Sequence, residues 1–151
     1  MDARSKIHHF CNYQERSHKE VRSKLYELGC HSDEVNNLLA ELIELDLLNE
    51  NRFAHSLVRG KFRIKQWGRV KIKMQLKQHQ ISDYCVKSAM QEIIETEYLS
   101  VLKNLAAKKW ILLKDEKQPL IRKEKLVRFL LQRGFESDLI KDCLSEIIHA
   151  E

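Results

Sequence analysis

The sequence has little of what builds long loops, β-sheets or membrane spans. Its 151 residues include only four glycines and one proline, which argues against long irregular loops. Aromatic residues make up 7% of the chain, while leucine, isoleucine, lysine and glutamate are abundant, and this balance favours helix over sheet. No apolar run approaches the length of a membrane span and no signal-like leader is visible. We therefore expect a cytoplasmic protein without membrane contact.

The chain also lacks paired cysteine motifs and the spacing of a zinc site. Its cysteines contain no CxxC pair and mostly occupy apolar positions, so we expect buried, reduced thiols at Cys11, Cys30, Cys85 and Cys143. His8 and His9 lie close to Cys11 in the sequence, but a second matched ligand pair is missing. We expect no metal and no cofactor.

Catalytic motifs are absent as well. The sequence shows no glycine-rich phosphate loop, no nucleophile elbow and no paired nucleophile and histidine. The neighbouring carboxylates Asp33 and Glu34 fall in the predicted first turn of a helix, where the helix dipole already explains them. Asp115 and Glu116 form a second pair in a polar link. We expect a protein that is not an enzyme.

One absence is local, because residues 51–82 contain no aspartate or glutamate. Residues 1–50 carry six basic and ten acidic residues, and residues 83–151 carry twelve of each, so the whole positive excess lies in this cationic segment. Such a field attracts polyanions and acidic protein surfaces. Arg59 and Arg63, and likewise Arg69, Lys73 and Lys77, have i,i+4 spacing, so on helices they can form two stripes of charge. The segment predicts an interaction surface formed by nine cations: Arg52, Arg59, Lys61, Arg63, Lys65, Arg69, Lys71, Lys73 and Lys77.

A sequence pattern that predicts two consecutive helices occurs three times along the chain. Val21 and Leu25 precede a Gly29 stop and a second apolar helix, and the same pattern returns 51 and then a further 54 residues later. A period near 50 residues indicates one supersecondary unit repeated, with neighbouring units completing a shared core. The pattern predicts burial of the equivalent leucines Leu25, Leu76 and Leu130.

The predicted fold is all-α: a tandem array of three three-helix repeats, elongated and curved. The repeats are expected at 1–47, 48–94 and 95–151, with the middle repeat carrying the basic charge. Residues 70–74 alternate apolar and cationic side chains as a strand does, but their place in the repeat favours a helix. The sequence also predicts that Trp67, Trp110 and the four tyrosines serve in packing.

Local signals predict where helices begin and which side chains face inward. Ser17 and Glu20 have the S-x-x-E spacing of a capping box, which predicts the start of a helix. Ser137 and Asp138 are expected to cap the last helix, and Leu57 is expected to point inward from the fourth.

Four stretches in this order resemble the RecX family of bacterial regulators of the recombinase RecA. They are RSHKEVRSKL at 16–25 ending in Gly29, LNENRFA at 48–54, KQWG at 65–68 followed by Ile72, Leu76 and Ile81, and FLLQRGF at 129–135 with Ile140. Gln80 stands where the family usually has a glycine.

The resemblance implies a modular, all-helical protein of three three-helix repeats that binds the RecA nucleoprotein filament. It implies suppression of recombinase and coprotease activity, and thereby modulation of DNA repair and the SOS response. The expected partner is the filament, with DNA as a secondary contact, and we expect a monomer. Two alternatives stay open from the residues alone: a stand-alone helical nucleic-acid-binding module without a protein target, and a purely structural helical scaffold.

Overall fold

The structure is a computed structural model that describes residues 1–151 and contains nine α-helices and no β-strand. The all-α prediction is therefore confirmed. The helices are α1 (Ala3–Tyr13), α2 (His18–Glu27), α3 (Ser32–Glu44), α4 (Glu50–Arg63), α5 (Arg69–Gln78), α6 (Asp83–Met90), α7 (Glu95–Leu112), α8 (Pro119–Gln132) and α9 (Ser137–Ala150). None of these helices is long and apolar enough to cross a membrane.

The helix ends follow from local chemistry. The Ser17 hydroxyl accepts from the Glu20 N–H and the Glu20 carboxylate accepts from the Ser17 N–H, which is the capping box predicted at the start of α2. Gly29 has φ +90° and Gly134 has φ +97°, so glycine ends the second helix of the first and third repeats. Gln80 fills the equivalent place with φ +59°, a conformation that is costlier for a residue with a side chain.

Two sequence predictions about helix starts and registers need correction. Ser137 was expected to cap α9, but the N-cap is Glu136. Leu57 was expected to point inward from α4, but it is half-buried and Val58 is fully buried beside Phe53 and Ala54. A helical face more than 100° wide includes adjacent positions, so the apolar pattern alone does not fix which of the two residues is deepest.

The repeat alignment correctly predicts the core. Leu25, Leu76 and Leu130 are each 0% exposed. Residues 70–74 lie within α5, so the alternation of apolar and cationic residues there is helical rather than a strand. The alignment is looser in the third helix of the second and third predicted repeats, where Met90, Leu144 and Ile147 are only half-buried.

The chain folds as two compact units, Met1–Val58 with Gln75–Met90 and Arg59–Met74 with Gln91–Glu151. Residues of the middle repeat occur in both units. The division describes packing, and the repeat boundaries 1–47, 48–94 and 95–151 stay a prediction.

The first unit has its core around α1, α2 and α3, formed by Ile7, Cys11, Val21, Leu25, Cys30, Val35, Leu39, Leu42 and Leu48. The start of α2 contacts the end of α5 in this unit. The Ser17 Oγ lies 3.0 Å from His79 Nδ1, and Lys19 Nζ donates to the Gln78 carbonyl at 2.8 Å. His79 also contacts the Phe53 ring, with 5.0 Å between centroids.

The second unit has an equivalent contact that is made by backbone atoms, since Gly68 and Arg133 lie 51 and 54 residues beyond Ser17 and His79. The Gly68 N–H donates to the Arg133 carbonyl at 2.7 Å, and the Val70 N–H donates to the Gly134 carbonyl at 2.9 Å. A Cβ atom on Gly68 would clash with the backbone of Gly134 and Phe135. Glycine is therefore required here by close approach of two backbones.

The four cysteines are free and buried, as predicted. Burial raises the pKa of the Cys11 thiol to about 11 and also raises the pKa of Cys143. The prediction for the tyrosines was right only for Tyr98, which is fully buried, while the other three are exposed: Tyr13, Tyr26 and Tyr84.

Candidate functional site

The nine predicted surface cations lie on α4, on α5 and in the loop that joins these helices. The structure separates them into three groups by what each side chain contacts. Three arginines form ion pairs, two lysines lie over a tryptophan ring, and four cations are exposed and unpaired.

The paired arginines at the start and middle of α4 use carboxylates from outside the cationic segment. Arg52 Nε contacts Glu15 at 2.6 Å and its Nη1 contacts Asp46 at 3.2 Å. The hydrogen bond that Arg52 Nε donates to the Glu15 carboxylate is the main cause that raises the pKa of Arg52. Arg59 contacts Glu92 at 2.5 Å. These two charges are already compensated within the fold.

Arg69 is the most deeply engaged of the nine. Its guanidinium lies 2.7 Å from Glu136 and 2.8 Å from Glu95, and 4.0 Å above the Tyr98 ring. Burial disfavours the charge, but the two carboxylates outweigh burial and raise the pKa of Arg69. The Tyr98 hydroxyl accepts from the Arg69 N–H at 2.9 Å and donates to Glu136 at 2.5 Å. Burial and the Glu136 carboxylate raise the pKa of Tyr98 above its usual value.

Two lysines cover the half-buried ring of Trp67 in the α4–α5 loop. Lys61 Nζ lies 4.6 Å from the ring centroid and Lys71 Nζ lies 4.1 Å from it. Each contact is a cation–π interaction of about 0.5–1 kcal/mol at an exposed position. Trp110, in contrast, is only 7% exposed and donates to Glu151 at 2.6 Å, which agrees with its predicted packing role.

The remaining four cations are exposed and form no ion pair. Arg63, Lys65 and Lys73 belong to the second unit, and we call them the exposed cation set; Lys77 belongs to the first unit. The i,i+4 spacing predicts two stripes of charge, one beginning at Arg59 and one at Arg69. Both of these arginines form ion pairs within the fold, so neither is available as an unpaired charge on its stripe.

Sequence reasoning missed Arg133, which lies within the charge-balanced residues 83–151. Its Nη2 donates to the Lys65 carbonyl at 2.6 Å across 68 residues of sequence, and no carboxylate pairs with it. The only signal for it in the sequence is its position directly before Gly134, the glycine that ends a helix in the repeated pattern.

No group of three or more histidine, cysteine, aspartate or glutamate side chains is arranged to hold a metal ion. Asp33 and Glu34 lie in the first turn of α3, where the positive end of the helix dipole stabilises them.

The fold and the surface place the chain among helical-repeat proteins built from three-helix domains. Family models described as the first, second and third three-helix domains of RecX match residues 3–42, 49–90 and 95–144. The chain belongs to the RecX family.

Named relatives and a crystal structure agree with this assignment. Regulatory protein RecX of Prosthecochloris aestuarii is 30% identical over 139 residues, which cover 92% of this chain and 89% of the relative. Regulatory protein RecX of Chlorobaculum tepidum is 32% identical over 132 residues, covering 87% and 79%. The crystal structure of RecX from Lactobacillus salivarius superposes with a TM-score of 0.82 at 27% identity, covering 95% of this chain and 93% of that one.

Proposed function

We propose that this chain is a regulatory protein that binds the RecA nucleoprotein filament and inhibits its recombinase and coprotease activities. Through that inhibition it modulates DNA repair and the SOS response. Membership of a family whose members are named regulatory proteins supports the regulatory role. The proposal is for a binding protein that acts as a monomer in the cytoplasm, without a catalytic step or a cofactor.

The observation that carries the proposal is the exposed cation set. Arg63, Lys65 and Lys73 are solvent-exposed and no carboxylate of the fold pairs with them. A soluble surface normally mixes charges of both signs. Unpaired cations attract a partner that carries acidic protein surface and phosphate, and they speed encounter with it.

The ion pairs divide the nine cations by role. We propose that the exposed cation set and Lys77 contact the partner directly. Arg52, Arg59 and Arg69 would first have to break ion pairs at 2.5–2.8 Å, so they hold the fold and position their neighbours. Binding in a groove of the filament hinders strand exchange and access of client repressors.

The test is charge reversal of the exposed cation set, Arg63→Glu with Lys65→Glu and Lys73→Glu, in an assay of ATP hydrolysis by RecA on single-stranded DNA. The wild-type chain is expected to inhibit hydrolysis, and the variant is expected to need at least tenfold more protein for the same inhibition. The matched control reverses three exposed, unpaired lysines of the same unit: Lys108, Lys114 and Lys117. Equal loss of inhibition in both variants would remove this surface from the proposal.

The stand-alone nucleic-acid-binding module is the alternative outcome. Binding to naked DNA that is as tight as binding to the filament would favour it. Each phosphate contact would then contribute about −0.7 to the slope of log K against log salt for a single strand, or about −0.9 for a duplex.

A further inference from the structure

Trp67, in the α4–α5 loop, lies beside two lysines that do not belong to the exposed cation set. Lys61 and Lys71 lie 4.6 and 4.1 Å from the Trp67 centroid and reach the ring from two different helices. The two lysine ammonium groups therefore cover part of the half-buried ring. We call Trp67 with Lys61, Lys65, Lys71 and Arg133 the indole cluster; Lys65 also belongs to the exposed cation set.

Arg133 brings a third element to this cluster. It follows α8, and its Nη2 donates to the Lys65 carbonyl at 2.6 Å. Its Nε is buried without a hydrogen-bond partner. None of the four cations of the indole cluster forms an ion pair, and Glu136, two residues beyond Gly134, is occupied by Arg69 and Tyr98.

The backbone fixes the position of the cluster. The Gly68 N–H bonds to the Arg133 carbonyl at 2.7 Å, directly after Trp67 in the sequence. A Cβ atom on Gly134 would clash with the Lys71 side chain, so the two chain segments are in direct contact. The backbone therefore holds Arg133, through its carbonyl, and Lys71, through its contact with Gly134, at the junction that follows Trp67.

We propose that the indole cluster is a binding site for single-stranded nucleic acid, in which Trp67 stacks on an unpaired base and the four cations bind the flanking phosphates. Four unpaired cations favour a polyanion. The aromatic face favours a nucleic acid over an acidic peptide, because every base has a face that stacks on indole and a carboxylate has none. A duplex keeps its bases stacked inside, so the strand must be single.

The lysines exchange one partner for another when the strand binds. Stacking of a base on an aromatic ring is stronger than an exposed cation–π contact, so the base displaces the ammonium groups from the ring. The ammonium groups then turn to the phosphates on either side of the stacked base. This site does not depend on binding to a recombinase.

The experiment titrates the full-length protein with oligothymidylate and records tryptophan fluorescence and binding by anisotropy of a labelled strand. Binding is expected to quench the fluorescence of Trp67, and Trp67→Leu is expected to lose the quench and to weaken binding about tenfold. Trp67→Phe keeps an aromatic face and is expected to retain most of the affinity. Trp110 is buried and stays as an unchanged emission background.

A second variant tests the phosphate contacts. Lys61→Gln with Lys71→Gln is expected to reduce the slope of log K against log salt by about 1.4, because each of the two lysines neutralises one phosphate and contributes about 0.7. Lys108→Gln with Lys114→Gln is the matched control from exposed positions of the same unit and is expected to leave the slope unchanged. Circular dichroism at 222 nm shows whether each variant is folded.

Three results would overturn the assignment. One is wild-type protein that binds oligothymidylate without any quench. Another is Trp67→Leu, folded, that binds as tightly as the wild type. The third is polyglutamate that competes as well as oligothymidylate, which would assign the cluster to an acidic protein segment. All three leave the inhibition of RecA to be judged by its own assay.

Discussion

Replacing Gly134 by alanine tests the close approach of two backbones in the second unit. Gly134 has φ +97°, and an added Cβ would clash with the Cβ and the backbone nitrogen of Lys71. Gly29 is a natural control, because it has φ +90° and no atom within 4 Å of an added Cβ. Gly29→Ala and Gly134→Ala both place alanine at a positive φ, but only Gly134→Ala also makes the new Cβ atom clash with Lys71.

The magnitudes follow from these two terms. An L residue in the left-handed region costs about 1–2 kcal/mol, and the lower entropy of the unfolded alanine chain returns about 0.4–1 kcal/mol. Gly29→Ala should therefore destabilise the fold by about 1 kcal/mol. Overpacking adds about 1–3 kcal/mol at Gly134, where the contact also includes the hydrogen bond from the Val70 N–H at 2.9 Å. The expected total is about 3 kcal/mol.

Urea unfolding followed by circular dichroism measures both variants. With a slope of about 2 kcal/mol per molar urea, the additional cost at Gly134 lowers the midpoint by about 1 M relative to Gly29→Ala. Gly60→Ala is a further control in the middle of α4, where an added Cβ meets open space, and it should raise stability by about 0.5–1 kcal/mol. A Gly134→Ala midpoint equal to that of Gly29→Ala would refute the close approach.

Three further results are expected. Leu76→Ala should lower the free energy of unfolding by about 2–5 kcal/mol in urea titrations, because the side chain is 0% exposed, and a cost below about 1 kcal/mol would contradict the repeat alignment. Because the pKa of Tyr98 is raised in the folded protein, its hydroxyl ionises at lower pH in the unfolded chain than in the fold. The contribution of Tyr98 to the free energy of unfolding is therefore complete below about pH 10 and decreases as the pH rises above it. In urea titrations at alkaline pH, the stability of Tyr98→Phe should decrease less steeply than that of the wild type. Cys11, with a pKa of about 11, should react with a thiol reagent at pH 8 only as fast as the protein opens, and reaction at the rate of a free thiol would contradict its burial.

The fold was largely predictable because its signal is local and threefold. Helix starts such as the Ser17 capping box and stops such as Gly29 depend on residues within one turn. The repeat then decided between strand and helix for residues 70–74, because Leu76 occupies the position equivalent to the buried Leu25 and Leu130. Local pattern failed at Leu57 and Val58, where two adjacent positions share one helical face and only the neighbouring helices decide between them.

The candidate surface was predictable in its location but not in its pairing. The sequence shows that residues 51–82 contain no carboxylate that could pair with their cations. It does not show that Glu15, 37 residues before Arg52, pairs with Arg52, or that Glu136, 67 residues after Arg69, pairs with Arg69. Ion pairs at such separations depend on which helices become neighbours. Arg133 was missed for the same reason, since its contact with Lys65 spans 68 residues.

The most direct test of the proposed function is the equilibrium affinity for a RecA filament assembled on labelled single-stranded DNA with a non-hydrolysable ATP analogue. The account predicts that Arg63→Glu with Lys65→Glu and Lys73→Glu weakens binding by at least tenfold. Reversal of Lys108, Lys114 and Lys117 should change affinity less than twofold. Equal affinity of both variants and the wild type for the filament would contradict the claim that the exposed cation set makes the regulatory contact.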